Sequence, residues 1–267
     1  MNATERGVRA VPLVTRLRKV PSPVRGTLRA LVLALADSVG SNLVGVYLYG
    51  SLTQGAFVPA RSDIDCVAVV RRDLTDAQFR RLGRLLARAA AVDPWIHRVQ
   101  LQVLRRGRLL RSDTLGALYQ FGVLSRSGSD GNPIIWHNVL ASGLTLVGAR
   151  PESFLPTISE DMIFCALLRE VEYLRAEIGS PSSPWRRRQF YRAYAVLTLC
   201  RILYTHRTRN VASKPTAARW SLRTLPARWH SLIRSATASD RGQSRRLPLR
   251  GIARFIEFVD NDLKKVK

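Results

Sequence analysis

The stretch from Leu43 to Val70 constrains this chain more than any other. An apolar run, Leu43 to Tyr49, is closed by Gly50-Ser51. Eleven residues of mixed loop follow, and then Asp63-Ile64-Asp65 leads into a second apolar run, Ile64 to Val70. Both runs read as buried strands. Side chains alternate along a strand, so Asp63 and Asp65 emerge on one face while Ile64 points into the core. Gly50 lets the backbone approach a phosphate closely, and Gly50-Ser51 is expected to open a helix whose first N–H groups are natural anion ligands. Two carboxylates at the head of a strand suit Mg²⁺, which is held by one or two carboxylates together with phosphate oxygens and water. An isolated Asp-x-Asp is commonly a solvated turn. The specific signal is the ordered set of apolar strand, Gly-Ser, fixed gap and Asp-apolar-Asp.

The flanking sequence places this segment in an α+β unit. Ser22 and Pro23 start a helix over Val24 to Val39 that is expected to carry Val24, Leu28, Leu31, Leu33, Leu35 and Val39 largely on one face. Thr75 to Ala91 is a second helix, Ile96 to Leu104 alternates as a third strand, Pro133 to Ala141 is helical and Leu144 to Gly148 is a short strand. Between Arg105 and Asn132 the signals are mixed, and Ser125 to Pro133 reads as a loop that includes the glycine-containing fragment Gly128 to Gly131. After Gly148-Ala149-Arg150-Pro151 helical periods dominate: Ser159 to Ile178, Arg187 to His206, Lys214 to Arg223, Ala227 to Ala238 and Leu249 to Lys265. The reading is an α+β domain over residues 1–150, a mixed sheet with helices, followed by an all-α helical bundle over 151–267.

Charge is the unusual compositional feature. Lys and Arg number 43 against 19 Asp and Glu, a formal +24, and residues 1–150 and 151–267 each carry +12. Such a surface attracts polyanions. Only five of the basic residues are Lys, and an Arg-, Ala- and Leu-rich composition is also what a GC-rich genome writes at solvated positions, so composition leaves both origins open. Cys66, Cys165 and Cys200 have neither metal-ligand nor redox spacing and are expected to be buried free thiols in a reducing compartment. His97, His137, His206 and His230 lack metal spacing as well and read as structural. The first twenty residues contain no apolar run of signal-peptide length, and no early run could span a bilayer, so a cytoplasmic location without membrane partners is expected.

The Gly50–Asp65 pattern resembles the nucleotidyltransferase head of the DNA polymerase β-like transferases. The second half narrows the branch. Leu146-Val147-Gly148, Leu197-Thr198-Leu199-Cys200-Arg201, Ala212-Ser213-Lys214-Pro215-Thr216-Ala217-Ala218-Arg219-Trp220 and Leu225-Pro226 resemble the helical domain of the aminoglycoside 3''-adenylyltransferases, and Tyr119-Gln120-Phe121-Gly122 resembles a Gln-Phe-Gly stretch of that family. The resemblance runs from about residue 43 to the C-terminus. It implies AMP transfer from ATP, as co-substrate, to a hydroxyl of a small-molecule acceptor, with release of pyrophosphate. Asp63 and Asp65 would hold Mg²⁺, Gly50 and Ser51 would contact phosphates, and Arg201 and Lys214 match positions that reach the nucleotide from the helical domain.

Two departures from the family stand out. The family keeps a third carboxylate on a neighbouring strand as general base for the attacking hydroxyl, and Gln100 of Arg98-Val99-Gln100-Leu101-Gln102-Val103 stands at that position. A glutamine hydrogen-bonds but cannot take the proton. Asp93 and Asp113 are the substitutes the sequence offers. The family also presents acids ahead of the Leu-Thr-Leu-x-Arg helix, where this chain has Trp185-Arg186-Arg187-Arg188-Gln189-Phe190-Tyr191-Arg192, with Arg187 and Tyr191 near the acceptor-binding positions. The alternative reading is a weak or inactive family member that binds a polyanion such as RNA through its basic surface. Nucleic acid is the less favoured partner.

Overall fold

The computed structural model describes residue 17 and residues 20–111, 116–126, 131–243 and 245–265. The chain divides into two compact units, Met1–Thr157 and Ile158–Lys267. Asp113 and the fragment Gly128 to Asp130 lie outside the described residues.

In the first unit, helix α1 (Ser22–Val39) precedes strand β1 (Leu43–Tyr49), and strand β2 (Ile64–Val70) precedes helix α2 (Asp76–Val92). Strands β3 (Val99–Arg105), β4 (Ala117–Gln120) and β5 (Val123–Ser125), helix α3 (Pro133–Ser142) and strand β6 (Leu144–Gly148) complete it. The sheet is mixed, with order β5-β4-β3-β2-β1-β6; β2 and β3 run parallel and every other neighbouring pair is antiparallel. One face packs on α1 and α2 through Leu28, Leu31, Leu35, Val46, Ile64, Cys66, Leu82, Leu86 and Leu101. Parallel strands buried along their length carry near-continuous apolar sequence, which is why β2 is so easily read. On the other face Tyr47 meets Trp136 of α3 at 6.0 Å between ring centroids and Phe154 at 5.9 Å. The Tyr47 hydroxyl donates to the Ala149 carbonyl at 2.7 Å and the Trp136 indole to Leu109 at 2.9 Å, so the polar ends of both rings are satisfied.

Local chemistry accounts for the differences from the sequence reading. The third strand starts at Val99 rather than Ile96, because Pro94–Arg98 forms a 3₁₀ turn capped by Asp93, whose Oδ1 accepts from Trp95 N at 2.9 Å. Two strands emerge from the mixed segment. β4 and β5 are joined by Phe121 and Gly122, both at positive φ (54° and 81°), the two-residue turn whose twist suits a hairpin. Gly50-Ser51 opens no α-helix, only the 3₁₀ turn Gly50–Leu52.

The second unit contains α4 (Glu160–Gly179), the single turn α5 (Pro184–Arg187), α6 (Gln189–Thr208), α7 (Lys214–Thr224), α8 (His230–Asp240) and α9 (Leu249–Lys265). Helix α6 is its core, with Ala195, Val196, Leu199, Cys200 and Leu203 fully buried. Ser159, Ser183 and Ser213 cap α4, α5 and α7 by accepting from backbone N–H groups inside each first turn. Arg175 bonds Asp260 at 2.7 Å and Arg207 bonds Asp262 at 2.6 Å, linking α4 and α6 to α9. The expected Arg187–His206 helix is interrupted at Arg188, which is extended (φ −101°, ψ 130°). The carbonyl of Arg186 accepts from the Arg192 guanidinium instead.

Cys66 and Cys200 are buried, whereas Cys165 is exposed on α4, contrary to the expectation of three buried thiols. Burial, reinforced by Asp65, pushes the Cys66 thiol far above its ordinary range, and burial raises that of Cys200 to about 12. Ellman's reagent at about pH 8 should label Cys165 alone in the native chain and all three thiols after denaturation. Rapid native labelling of a second thiol would contradict this packing. None of the described helices is long and apolar enough to cross a membrane.

Candidate active site

Strand register brings the acidic pair together with the glutamine. Tyr49 of β1 pairs with Asp65 of β2, and Asp65 pairs with Gln100 of β3. Ile64, between the two acids, is fully buried, while Asp65 is half-buried and Asp63 exposed. The Gln100 amide donates to Asp63 Oδ2 at 3.0 Å. Position 100 is therefore the immediate neighbour of both carboxylates.

Gly50 is drawn against this pair. Its φ is +76°, and a Cβ built on it would lie 2.2 Å from Asp65 Oδ2. Both the backbone conformation and the close approach demand glycine. Its carbonyl accepts from Thr53 N at 3.2 Å and Gln54 N at 3.1 Å, and the carbonyl of Ser51 accepts from Ala56 N at 2.9 Å, which folds the chain after β1 back on itself. Gln54 then donates to Asn138 of α3 at 2.9 Å. On the approach to Asp63, the Arg98 guanidinium donates to the carbonyls of Pro59 and Ser62 while stacking 4.6 Å over Trp95. Sequence reasoning passed over Arg98. Its clamp crosses from the 3₁₀ turn before β3 to the loop before β2, and no local pattern announces it.

The donor set is hard, two carboxylates with an amide beside them, as suits an oxygen-preferring divalent cation. Among the described residues no group of three or more His, Cys, Asp or Glu side chains could hold a metal. Asp93 is engaged within its own turn and with α1: Oδ2 accepts from Thr27 at 2.6 Å and Oδ1 from Trp95 N at 2.9 Å.

In the helical unit, Arg201 is half-buried on α6 and Lys214 opens α7. The arginines around Trp185 serve the backbone. Arg186 donates to the Ile178 and Gly179 carbonyls at the end of α4, both at 3.2 Å. Arg187 donates to Pro181 at 3.1 Å, and Arg192 to Arg186 and Leu247. Cations on the last carbonyls of a helix also complement its dipole. The aromatics cluster separately: Trp185 lies 5.2 Å from Tyr191, 5.3 Å from Tyr194 and 5.6 Å from Tyr173. Burial first, and then the charges of Glu177 and Glu170, raise the Tyr173 phenol above its ordinary range, so two acids lie within electrostatic reach of this cluster.

Residues 153–263 match the family model described as the aminoglycoside adenylyltransferase C-terminal domain. The chain is similar to the aminoglycoside adenylyltransferases over most of its length. Over 246 residues it is 26% identical to an aminoglycoside (3'') (9) adenylyltransferase of Klebsiella pneumoniae, covering 84% of this chain and 88% of that protein. It is 23% identical over 222 residues to a spectinomycin 9-adenylyltransferase of Campylobacter jejuni, covering 77% of this chain and 81% of the relative. The crystal structure of the spectinomycin adenyltransferase AAD(9) from Enterococcus faecialis, solved with ATP and spectinomycin, has the same fold: TM-score 0.69 at 18% identity, over 90% of this chain and 98% of that one. The two-part plan of this chain, a mixed sheet with helices followed by an all-helical unit, is the fold it shares with that structure.

Proposed function

We propose that the protein is a Mg²⁺-dependent nucleotidyltransferase that moves AMP from ATP to a hydroxyl of a small, aminoglycoside-like acceptor and releases pyrophosphate. The observation that carries this reading is the register that sets Asp63, Asp65 and Gln100 side by side, with the Gly50 backbone pressed against Asp65. Asp63 and Asp65 would hold the metal, which supplies charge neutralisation on the triphosphate. Gly50 and Ser51 offer backbone close to the same carboxylates, and in the helical unit Arg201 and Lys214 carry cations of the kind that pair with phosphate oxygens. Most of the catalysis in such transfers is positioning and charge stabilisation, work this chain's fixed groups can do.

The acceptor side combines cations with aromatic rings and two acids; burial first, and then the charges of Arg186 and Arg246, lower the Arg192 guanidinium below its ordinary range. Arg186 and Arg192 point into backbone carbonyls, and Arg187 uses part of its fork on Pro181. Tyr191, with Trp185 and Tyr173 beside it and Glu170 and Glu177 near, presents aromatic faces and negative charge, the pairing that holds ammonium groups. Tyr191 is the proposed acceptor contact, and Arg187 would lie at its rim.

The test is transfer of label from α-labelled ATP, with Mg²⁺, across a panel of aminoglycosides and spectinomycin. A labelled acceptor is expected. Absence of both labelled product and Mg·ATP binding would remove the reading. In that case RNA binding with log affinity falling steeply with log salt would put the polyanion-binding alternative in its place.

A further inference from the structure

Lys214 does not project unsupported from the start of α7. Its Nζ lies 3.9 Å from the centroid of the Tyr194 ring on α6. An ammonium over a ring face is held by the negative quadrupole of the ring. Tyr194 is held in turn: Trp185 packs edge-on against it, 5.3 Å between centroids at 83°. Trp185 is fixed by Tyr173, also edge-on (5.6 Å, 86°), and by Tyr191 at 5.2 Å. Ser183 anchors the turn that carries Trp185, accepting from Trp185 N at 3.1 Å and donating to Glu177. These contacts run unbroken through one helical unit, from α4 through α5 and α6 to the first residue of α7.

We infer that Tyr194 is the positioning residue for Lys214, fixing its ammonium for the triphosphate, and that Trp185 braces the ring that does so. The inference rests on the reading of Lys214 as a nucleotide-binding residue. A lysine carries four flexible side-chain bonds and loses much rotamer freedom when it binds a phosphate. A ring that restricts it beforehand reduces that loss, so the contact favours nucleotide binding in the way any preorganised group does. The opposite role, a ring that sequesters the lysine from phosphate, predicts the opposite sign.

Calorimetric titration of the whole chain with Mg·ATP separates these cases. Lys214→Ala should weaken binding by about ten-fold or more, as loss of a charged phosphate contact does, and Tyr194→Leu by about three- to ten-fold, the range a partly exposed cation–π contact supports. Tyr194→Phe keeps the ring face and should stay within about twofold of wild type, a rescue that a hydrogen-bonding role for the phenol would not allow. With Lys214 already replaced by Ala, adding Tyr194→Leu should cost nothing further. Progressively fluorinated phenylalanines at position 194 preserve volume while draining the ring's negative face, and should weaken Mg·ATP binding step by step even if Tyr194→Leu fails to fold. An NMR readout needs no nucleotide: the Lys214 side-chain protons next to Nζ should be shifted upfield by the ring current and return to ordinary positions in Tyr194→Leu.

If Lys214→Ala weakens binding while the position-194 variants leave it unchanged or tighten it, the positioning role is overturned and the nucleotide reading stands. Absence of the ring-current shift overturns the positioning role by itself. A wild-type chain that does not bind Mg·ATP overturns the nucleotide reading, and this inference falls with it.

Discussion

Asp65→Asn and Asp63→Asn should each lower AMP transfer by on the order of 10²–10³-fold, because a metal held by carboxylates supplies several kcal/mol of charge stabilisation. Asn keeps the size of each side chain, so the Gly50 turn packed against position 65 and the Gln100 contact at position 63 keep their space. The fold should not suffer. Asp63 and Asp65 flank the buried Ile64, and the Asn replacements, matched in size, should keep the melting temperature close to that of wild type. Loss of transfer and of Mg·ATP affinity, with an undiminished melting temperature, is the expected combination, read by label transfer, calorimetry and thermal melts. Transfer within about threefold of wild type in both variants would mean that the carboxylates are not the metal site, since an effect that small is under 1 kcal/mol.

The site's strands could be read because their burial writes itself into the sequence. The β1 and β2 runs are apolar throughout, and Asp63-Ile64-Asp65 breaks the second at one point only, where Ile64 is core and its neighbours are not. The Val99 boundary was hidden because Ile96 is also fully buried: an apolar residue inside a 3₁₀ turn mimics the alternation of a strand. β4 and β5, at four and three residues, are too short to show a period, and their turn uses a phenylalanine at positive φ where Asn or Gly is usual. The arginines of 186–192 were misleading for another reason. Formal charge is a property of sequence, whereas the direction of a guanidinium depends on which carbonyls the fold leaves open, here those ending α4 and those of Pro181 and Leu247. The same holds for Lys214 and Tyr194, twenty residues apart on different helices, whose contact no spacing rule foretells.

Gln100→Glu should raise the rate of transfer, by up to the ~10²–10⁴-fold that a positioned general base contributes. The geometric half of the argument is already met, because residue 100 pairs with Asp65 and touches Asp63. The chemical half is missing, because an amide has no basic site for a hydroxyl proton. The present amide donates a hydrogen bond to Asp63, whereas a glutamate there adds a third negative charge beside two others. Like charges raise a carboxyl group's pKa, which makes the new glutamate a stronger base and also a destabilising one when ionised. The sign follows from linkage: a folded-state pKa raised above the unfolded value favours folding while the group is protonated, and that advantage is lost as pH rises through the folded pKa. The variant should therefore lose stability relative to wild type between acid and neutral pH in the absence of a divalent cation, and recover it when Mg²⁺ is added. The acid limb of its rate profile should lie at higher pH than that of wild type, because the new carboxyl must also be ionised. An unchanged or lower rate at saturating Mg·ATP and acceptor, with the fold intact, would show that the proton leaves by a route that does not pass residue 100.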